Sequence, residues 1–376
     1  MADLRRDNAA VTPVIGTVFI LGITVAGMAV VLLLGTPVID RLQDEAALAT
    51  MAGQFEGVRY AVSTLSIPQA SKAAGLSLPG GEVRLATGDR IMVTYTSSAA
   101  PAGCDFHVTQ WATADNAIFV RGGGGCGTPI RVPALPFGVC TICIQAFDLT
   151  AAPASDQVAL AAGGLVTLAV PIELDHDWLF RLTNGAGTTI AEAFLFSGDR
   201  LDWERPSSVG GAQASFEAGA IFLGRGGQTF QQASPFISEK PLGTGTGIAT
   251  PYLVRIPMLD ATGLTGISGS GDHSLLLQLA SSTLRAQVDA AVLIRFDIHG
   301  TLAQEWCSGL VLRNAFEQPP GRYDEDLLYN CATGNLVEQG VRSVTYTPPT
   351  PPLPALPPGT VPFQLVHARL AATIQL

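Results

Sequence analysis

The chain has 376 residues, of which 47% are hydrophobic and 14% charged, with 41 Gly, 25 Pro and a formal charge of −10. So large an apolar share excludes a disordered chain. The acidity, with Lys72 and Lys240 as the only lysines, excludes a nucleic-acid partner, which needs a basic stripe to displace counterions.

No charged residue occurs between Asp7 and Asp40, and Val14 to Leu34 holds thirteen Val, Ile, Leu or Phe residues. Their insertion into a bilayer sums to roughly −4 to −8 kcal/mol. About 20 residues at 1.5 Å each match a hydrocarbon core of about 30 Å, so a transmembrane helix over about 14–35 is expected. Arg5 and Arg6 precede the span, whereas Asp40, Asp44 and Glu45 dominate after it. The positive-inside rule then leaves the N-terminus in the cytoplasm and sends the rest of the chain outside. A secretory signal peptide is the rival reading, but its apolar region is shorter and ends at a small-x-small site.

Beyond the span, Leu48, Met51, Phe55, Val58, Val62 and Leu65 step by three and four residues, so the helix is expected to continue as an amphipathic one. Its seam has two possible covers, the chain's own β domain or neighbouring subunits. Pro13 suits a first helical turn, and Pro37 is expected to kink the rod.

A short polar leader, then Ala9-Ala10-Val11-Thr12-Pro13-Val14-Ile15-Gly16, then an unbroken apolar helix, resembles archaeal type IV pilins and pilin-like proteins. The resemblance implies a leader over residues 1–10, a pilin-like helix over 11–66 and cleavage by a prepilin peptidase between Ala10 and Val11. Membrane lipid, the peptidase and other pilin-like subunits or the pilus assembly machinery are the partners it implies. Gly16, Gly22, Ala26 and Gly27 would permit close approach of sister helices. A weaker similarity, to large pilin-like surface proteins of euryarchaea, lies in Phe216-Glu217-Ala218-Gly219-Ala220-Ile221-Phe222 and in Val254-Arg255-Ile256-Pro257-Met258-Leu259.

Past Ser66 short β-type runs alternate with Gly, Pro, Asn and Asp. Glu82–Leu85 and Arg90–Thr96 read as a hairpin across Ala86-Thr87-Gly88-Asp89. Further strands are expected at Phe106–Trp111, Ala117–Arg121, Leu165–Val170, Trp178–Leu182, Thr188–Phe196, Ser274–Leu279 and Ala290–Ile298. Their spacing predicts a mainly β fold, an antiparallel β-sandwich-type domain behind one long helix. A soft boundary near Ala151-Ala152-Pro153 divides a first β module (67–150) from a second (151–345), with a short helix at about 301–316. A Pro-rich connector and a C-terminal strand fill 346–376. In that strand the apolar alternation slips between Leu365 and Leu370, which predicts a bulge or break.

Cys104, Cys126, Cys140, Cys143, Cys307 and Cys331 are disulfide candidates in an exported chain. Proximity suggests Cys104–Cys126, Cys307–Cys331 and Cys140–Cys143, one of 15 possible pairings. The spacing of Cys140-Thr141-Ile142-Cys143 also suits redox or metal chemistry, but its strand-like flanks and the lack of a second pair favour a structural bridge. Asp175-His176-Asp177 and Asp272-His273 contain metal-ligand types, although solvated loop charge is the expected reading and calcium on Asp175 and Asp177 the alternative. No G-x-S-x-G elbow, phosphate loop or N-x-[ST] sequon occurs. The expectation is a structural, non-enzymatic cell-surface protein without cofactor or metal, a minor or adhesive pilin-like subunit. The alternative is an uncleaved single-span surface protein with a ligand-binding or enzymatic β domain.

Overall fold

The structure, a computed structural model, describes residues 8–100, 106–112, 117–122, 142–150, 156–159, 166–167, 176–184, 188–207, 210–226, 228–233, 237–239, 252–302, 330–333, 341–346 and 360–375. Helix α1 (Asn8–Thr64) has 57 residues, about 85 Å of rise. It runs on through Pro37 without a break. The ring removes one backbone bond there and does not end the helix. All six seam residues are buried, together with Asp44, Ala47, Ala52 and Ala61. They pack with Leu76, Leu78, Ala214, Ile221 and Leu277 of the chain's own strands. Of the two covers open to the seam, the β domain supplies this one. Each large seam side chain contributes roughly 1.5–3 kcal/mol by burial.

The strands are β1 (Ser71–Leu78), β2 (Glu82–Thr87), β3 (Arg90–Ser97), β4 (Phe106–Ala112), β5 (Ala117–Gly122), β6 (Ile142–Asp148) and β7 (Asp156–Ala159). Then come β8 (Val166–Thr167), β9 (Trp178–Asn184), β10 (Thr189–Phe196), β11 (Asp199–Arg205), β12 (Ala212–Glu217), β13 (Ala220–Arg225) and β14 (Gln228–Ala233). The last are β15 (Ile237–Glu239), β16 (Tyr252–Ala261), β17 (Gly266–Ser268), β18 (Gly271–His299), β19 (Asn330–Thr333), β20 (Val341–Tyr346) and β21 (Val361–Gln375). Strands β4, β5 and β8 form a separate three-stranded sheet, and the other 18 are hydrogen-bonded into one. Strands on both sides of Ala151–Pro153 share that sheet, β3 pairing with β10 and β1 with β18.

Three expectations are corrected. The sheet is mixed instead of antiparallel, because β16 and β21 run parallel from Tyr252↔Phe363 to Ala261↔Ala372. The long excursion between them allows this, whereas a tight turn would impose an antiparallel pair. Next, β2 and β3 are not a hairpin. β2 pairs with β11 and β17, and β3 with β10 and β18. At Gly88-Asp89 the chain steps onward instead of turning back, and β10–β11 steps beside it at Ser197-Gly198, where the Gly88 N–H donates to the Gly198 carbonyl at 2.9 Å. Last, Ser274–Leu279 and Ala290–Ile298 belong to one strand, the 29-residue β18, whose register against β21 shifts between Leu279 and Ser281, Leu284 and Ala286, and Val288 and Ala291.

Those long strands serve two hydrophobic clusters. One joins α1 to β1, β2, β11 and β12, and the other joins β3, β9 and β10. Strands β13, β16, β18 and β21 enter both. In β21, Phe363 and Leu365 face the second cluster, whereas Ala368, Leu370, Ala372 and Ile374 face the first. Odd and even residues of a strand point to opposite faces. The slip in alternation therefore marks the change of buried face, and the β16–β21 ladder crosses it without a register shift. The unpaired extra residues lie in β18. Of the expected 301–316 helix, Thr301 and Leu302 form a turn and the remainder lies outside the described residues, as does most of the Pro-rich connector.

Candidate functional site: the exposed helix and its collar

From Gly16 to Gln43 no residue of α1 is buried, and this is a helix long and apolar enough to cross a membrane, with a mean hydropathy of 2.6 over its most apolar window. Two of its threonines bond back to the helix itself. The Thr24 hydroxyl donates to the Ile20 carbonyl (2.8 Å) and that of Thr36 to the Leu32 carbonyl (2.7 Å). An apolar surround demands this, since an unpaired hydroxyl there costs free energy. Gly16, Gly22, Ala26 and Gly27 are exposed, and a Cβ added at any of the three glycines would meet nothing within 4 Å. At 100° per residue the four span an arc of about 140°. Ala10 and Val11 lie within the helical backbone.

Where the exposed half ends, arginines from the β domain grip α1. Arg205 donates through Nη1 to the Gln43 carbonyl (3.1 Å) and through Nη2 to Gln43 Oε1 (3.0 Å), and its Nε lies 4.0 Å from Asp44 Oδ1. The Ser207 hydroxyl donates to Asp44 Oδ2 at 2.6 Å, and Arg225 pairs with Glu45. At the far end, α1 has no basic residue in its last turn. Strand residues supply the missing charge. Arg255 donates to the Leu65 carbonyl, and Lys72 donates to Thr64 Oγ1 (2.9 Å) while lying 4.4 Å over the Tyr60 ring. Cations at this end complement the helix dipole. None of these contacts has a sequence signature, because each joins residues 160 or more positions apart or depends on a strand's register; only the exposed span and the seam were readable beforehand.

A second polar cluster lies where the strands pass from one core to the other. Arg369 donates Nη2 to Asp177 Oδ1 (2.7 Å) and Nη1 to Asp260 Oδ1 (2.5 Å). Asp177 is 1% exposed, which overturns the solvated-loop reading for that residue. Its carboxylate also accepts from the Ser197 N–H, and its backbone N–H donates to Thr150 Oγ1. His176 Nδ1 lies 2.8 Å from Asp148 Oδ2. Burial pushes the Asp177 carboxyl above the usual carboxylate range, with Arg369 opposing. His367, also 1% exposed, stacks on Phe196 at 4.3 Å, and burial, then Arg369 and Arg285, hold its imidazole well below the ordinary range. With its oxygens engaged by Arg369 and Ser197, Asp177 is a structural anion; Asp175 lies outside the described residues. Asp272 is exposed and accepts from the Ser77 hydroxyl at 2.6 Å.

Cys143 sits in β6 and Cys331 in β19 by backbone. Cys104, Cys126, Cys140 and Cys307, and all six thiol side chains, lie outside the described residues, as does the expected pairing. Set against known proteins, the chain matches no family model, no curated protein and no solved structure.

Proposed function

We propose that this chain is a structural cell-surface protein, a minor or adhesive subunit of the type IV pilin-like kind. Its helix inserts in the membrane and a prepilin peptidase cuts between Ala10 and Val11. The β domain then stands outside the cell, and the exposed helix passes from lipid into contact with sister helices. The observation that supports this most directly is the division of α1 into two halves: unburied from Gly16 to Gln43 and uncharged up to Asp40, then buried along one seam from Asp44. The first half needs an apolar surround that the chain does not supply, while the second holds the domain to it. With about 310 residues beyond the helix, the domain suits a specialised subunit better than the bulk of a filament.

The test is the N-terminal residue of the protein recovered from cells. Val11 or an immediate neighbour supports processing, and an intact leader through Ala10 turns the reading to an uncleaved, single-span surface protein. Ala10→Phe should block maturation, seen as a slower-migrating band; unchanged mobility counts against the peptidase step.

A further inference from the structure

The apolar surface of α1 does not stop where a bilayer's hydrocarbon would. Val38, Ile39 and Leu42 are 58%, 55% and 60% exposed, and Asp44, two residues on, is the first buried residue from Gly16 onward. At 100° per residue these three share an arc of about 100°, centred opposite the seam of Met51, Phe55 and Val62. No part of the described domain covers that side. Val14 to Leu42 rises about 43 Å, which exceeds a hydrocarbon core of about 30 Å but equals the 40–45 Å of a whole bilayer with its headgroup layers. Asp40 and Arg41 are the only charged residues in that length, and both fall at its outer end, at headgroup depth.

We propose that the β domain is seated directly on the outer headgroup layer, with Val38, Ile39 and Leu42 in lipid and the collar of Arg205, Ser207 and Arg225 resting at the membrane surface. The seat rests on the membrane-anchor reading above and refines it: no stalk separates domain from bilayer. Lipid is the occupant because this stripe continues the exposed span without a gap in the same helix, whereas the next exposed large apolar residue, Tyr60, lies about 27 Å further along, beyond the reach of the headgroups. The collar fixes the helix where it emerges, since Gln43, Asp44 and Glu45 are each held by the domain. The domain therefore cannot rise away from the membrane without drawing apolar surface into water.

The test uses the full chain, with photoreactive benzoylphenylalanine placed in turn at Leu21, Leu42 and Tyr60, reconstituted into vesicles of phosphatidylcholine and phosphatidylglycerol. Lipid adducts are expected from Leu21 and Leu42 at comparable yield, and from Tyr60 at about tenfold less, because only the first two lie within bilayer thickness. All three positions are exposed, so the probe leaves the core intact, and an unchanged thermal melt checks this. Adducts from Leu21 but not Leu42, or from Leu42 to a second copy of the chain, overturn the seat and leave the anchor standing. No lipid adduct from Leu21 instead removes the anchor on which the seat rests.

Discussion

Arg369 places Nη2 at 2.7 Å from Oδ1 of Asp177, a carboxylate almost wholly withdrawn from water. The pair lies at the passage between the two cores, and the same guanidinium holds Asp260. Removing one partner of such a pair leaves a buried charge uncompensated. Arg369→Ala should therefore destabilise the chain by about 3–5 kcal/mol, and Arg369→Ala with Asp177→Asn by clearly less. Denaturant unfolding of these variants and of Asp177→Asn alone closes the cycle; a double-variant loss equal to the sum of the two single losses would argue that the pair carries no coupling.

The pH response contains two opposing parts. Burial, outweighing Arg369, raises the Asp177 carboxyl above its ordinary 3.8, so in the window just above 3.8 the folded chain holds a proton that the unfolded chain has lost. Stability from this group falls as pH rises through that window. Burial depresses the His367 imidazole below its ordinary 6.5, so the unfolded chain binds the proton first and stability falls as pH drops below 6.5. His367→Phe keeps an aromatic ring against Phe196 and should flatten the decline in melting temperature between about pH 6.5 and 5. Asp177→Asn should leave that decline in place. Calorimetry across this range distinguishes them.

The seam and the exposed half of α1 should respond differently to substitution. Phe55→Ala opens a cavity under the helix and should cost about 3–5 kcal/mol. A Cβ added at Gly27 meets no neighbouring atom within 4 Å and the position is exposed, so with Gly27→Leu the melt of the isolated chain should stay within about 0.5 kcal/mol of wild type. On the pilin-like reading proposed above, the same leucine should keep sister helices apart and reduce assembly, read by sedimentation of filaments from cells. Normal assembly with Gly27→Leu would argue against close helix packing on that face.

At the collar, Ser207→Ala removes the hydroxyl that donates to Asp44 Oδ2, a bond to a buried charge, and should cost about 1.5–3 kcal/mol. Amide exchange over Gln43–Ala47 should quicken with it, because the domain then grips the emerging helix less firmly. An unchanged exchange rate would show that Arg205 and Arg225 hold the helix by themselves.

What could be read in advance follows from range. The apolar span and the seam from Leu48 to Leu65 are local periodicities, and both appear as expected. Strand positions such as Trp178–Leu182 and Thr188–Phe196 are equally local and, but for Thr188, lie within β9 and β10, which do pair with each other. Pairing over longer distances is not local. Gly88-Asp89 reads as a turn, yet the Asp89 carboxylate instead accepts from the backbone N–H groups of Thr301 (2.9 Å) and Leu302 (2.8 Å), and these contacts carry the chain forward into the second core. The Asp177 triplet reads as solvated because its partner, Arg369, is 192 positions away.

The change of buried face within β21 makes its length intolerant of editing. Loss of a single residue between Val366 and Ala368 would rotate everything after it by half a pleat, sending Leu370, Ala372 and Ile374 to the solvent side and Ala371 and Thr373 into the core beneath the helix. The stretch is thus fixed in number, as a ruler is, by the two interiors it has to reach.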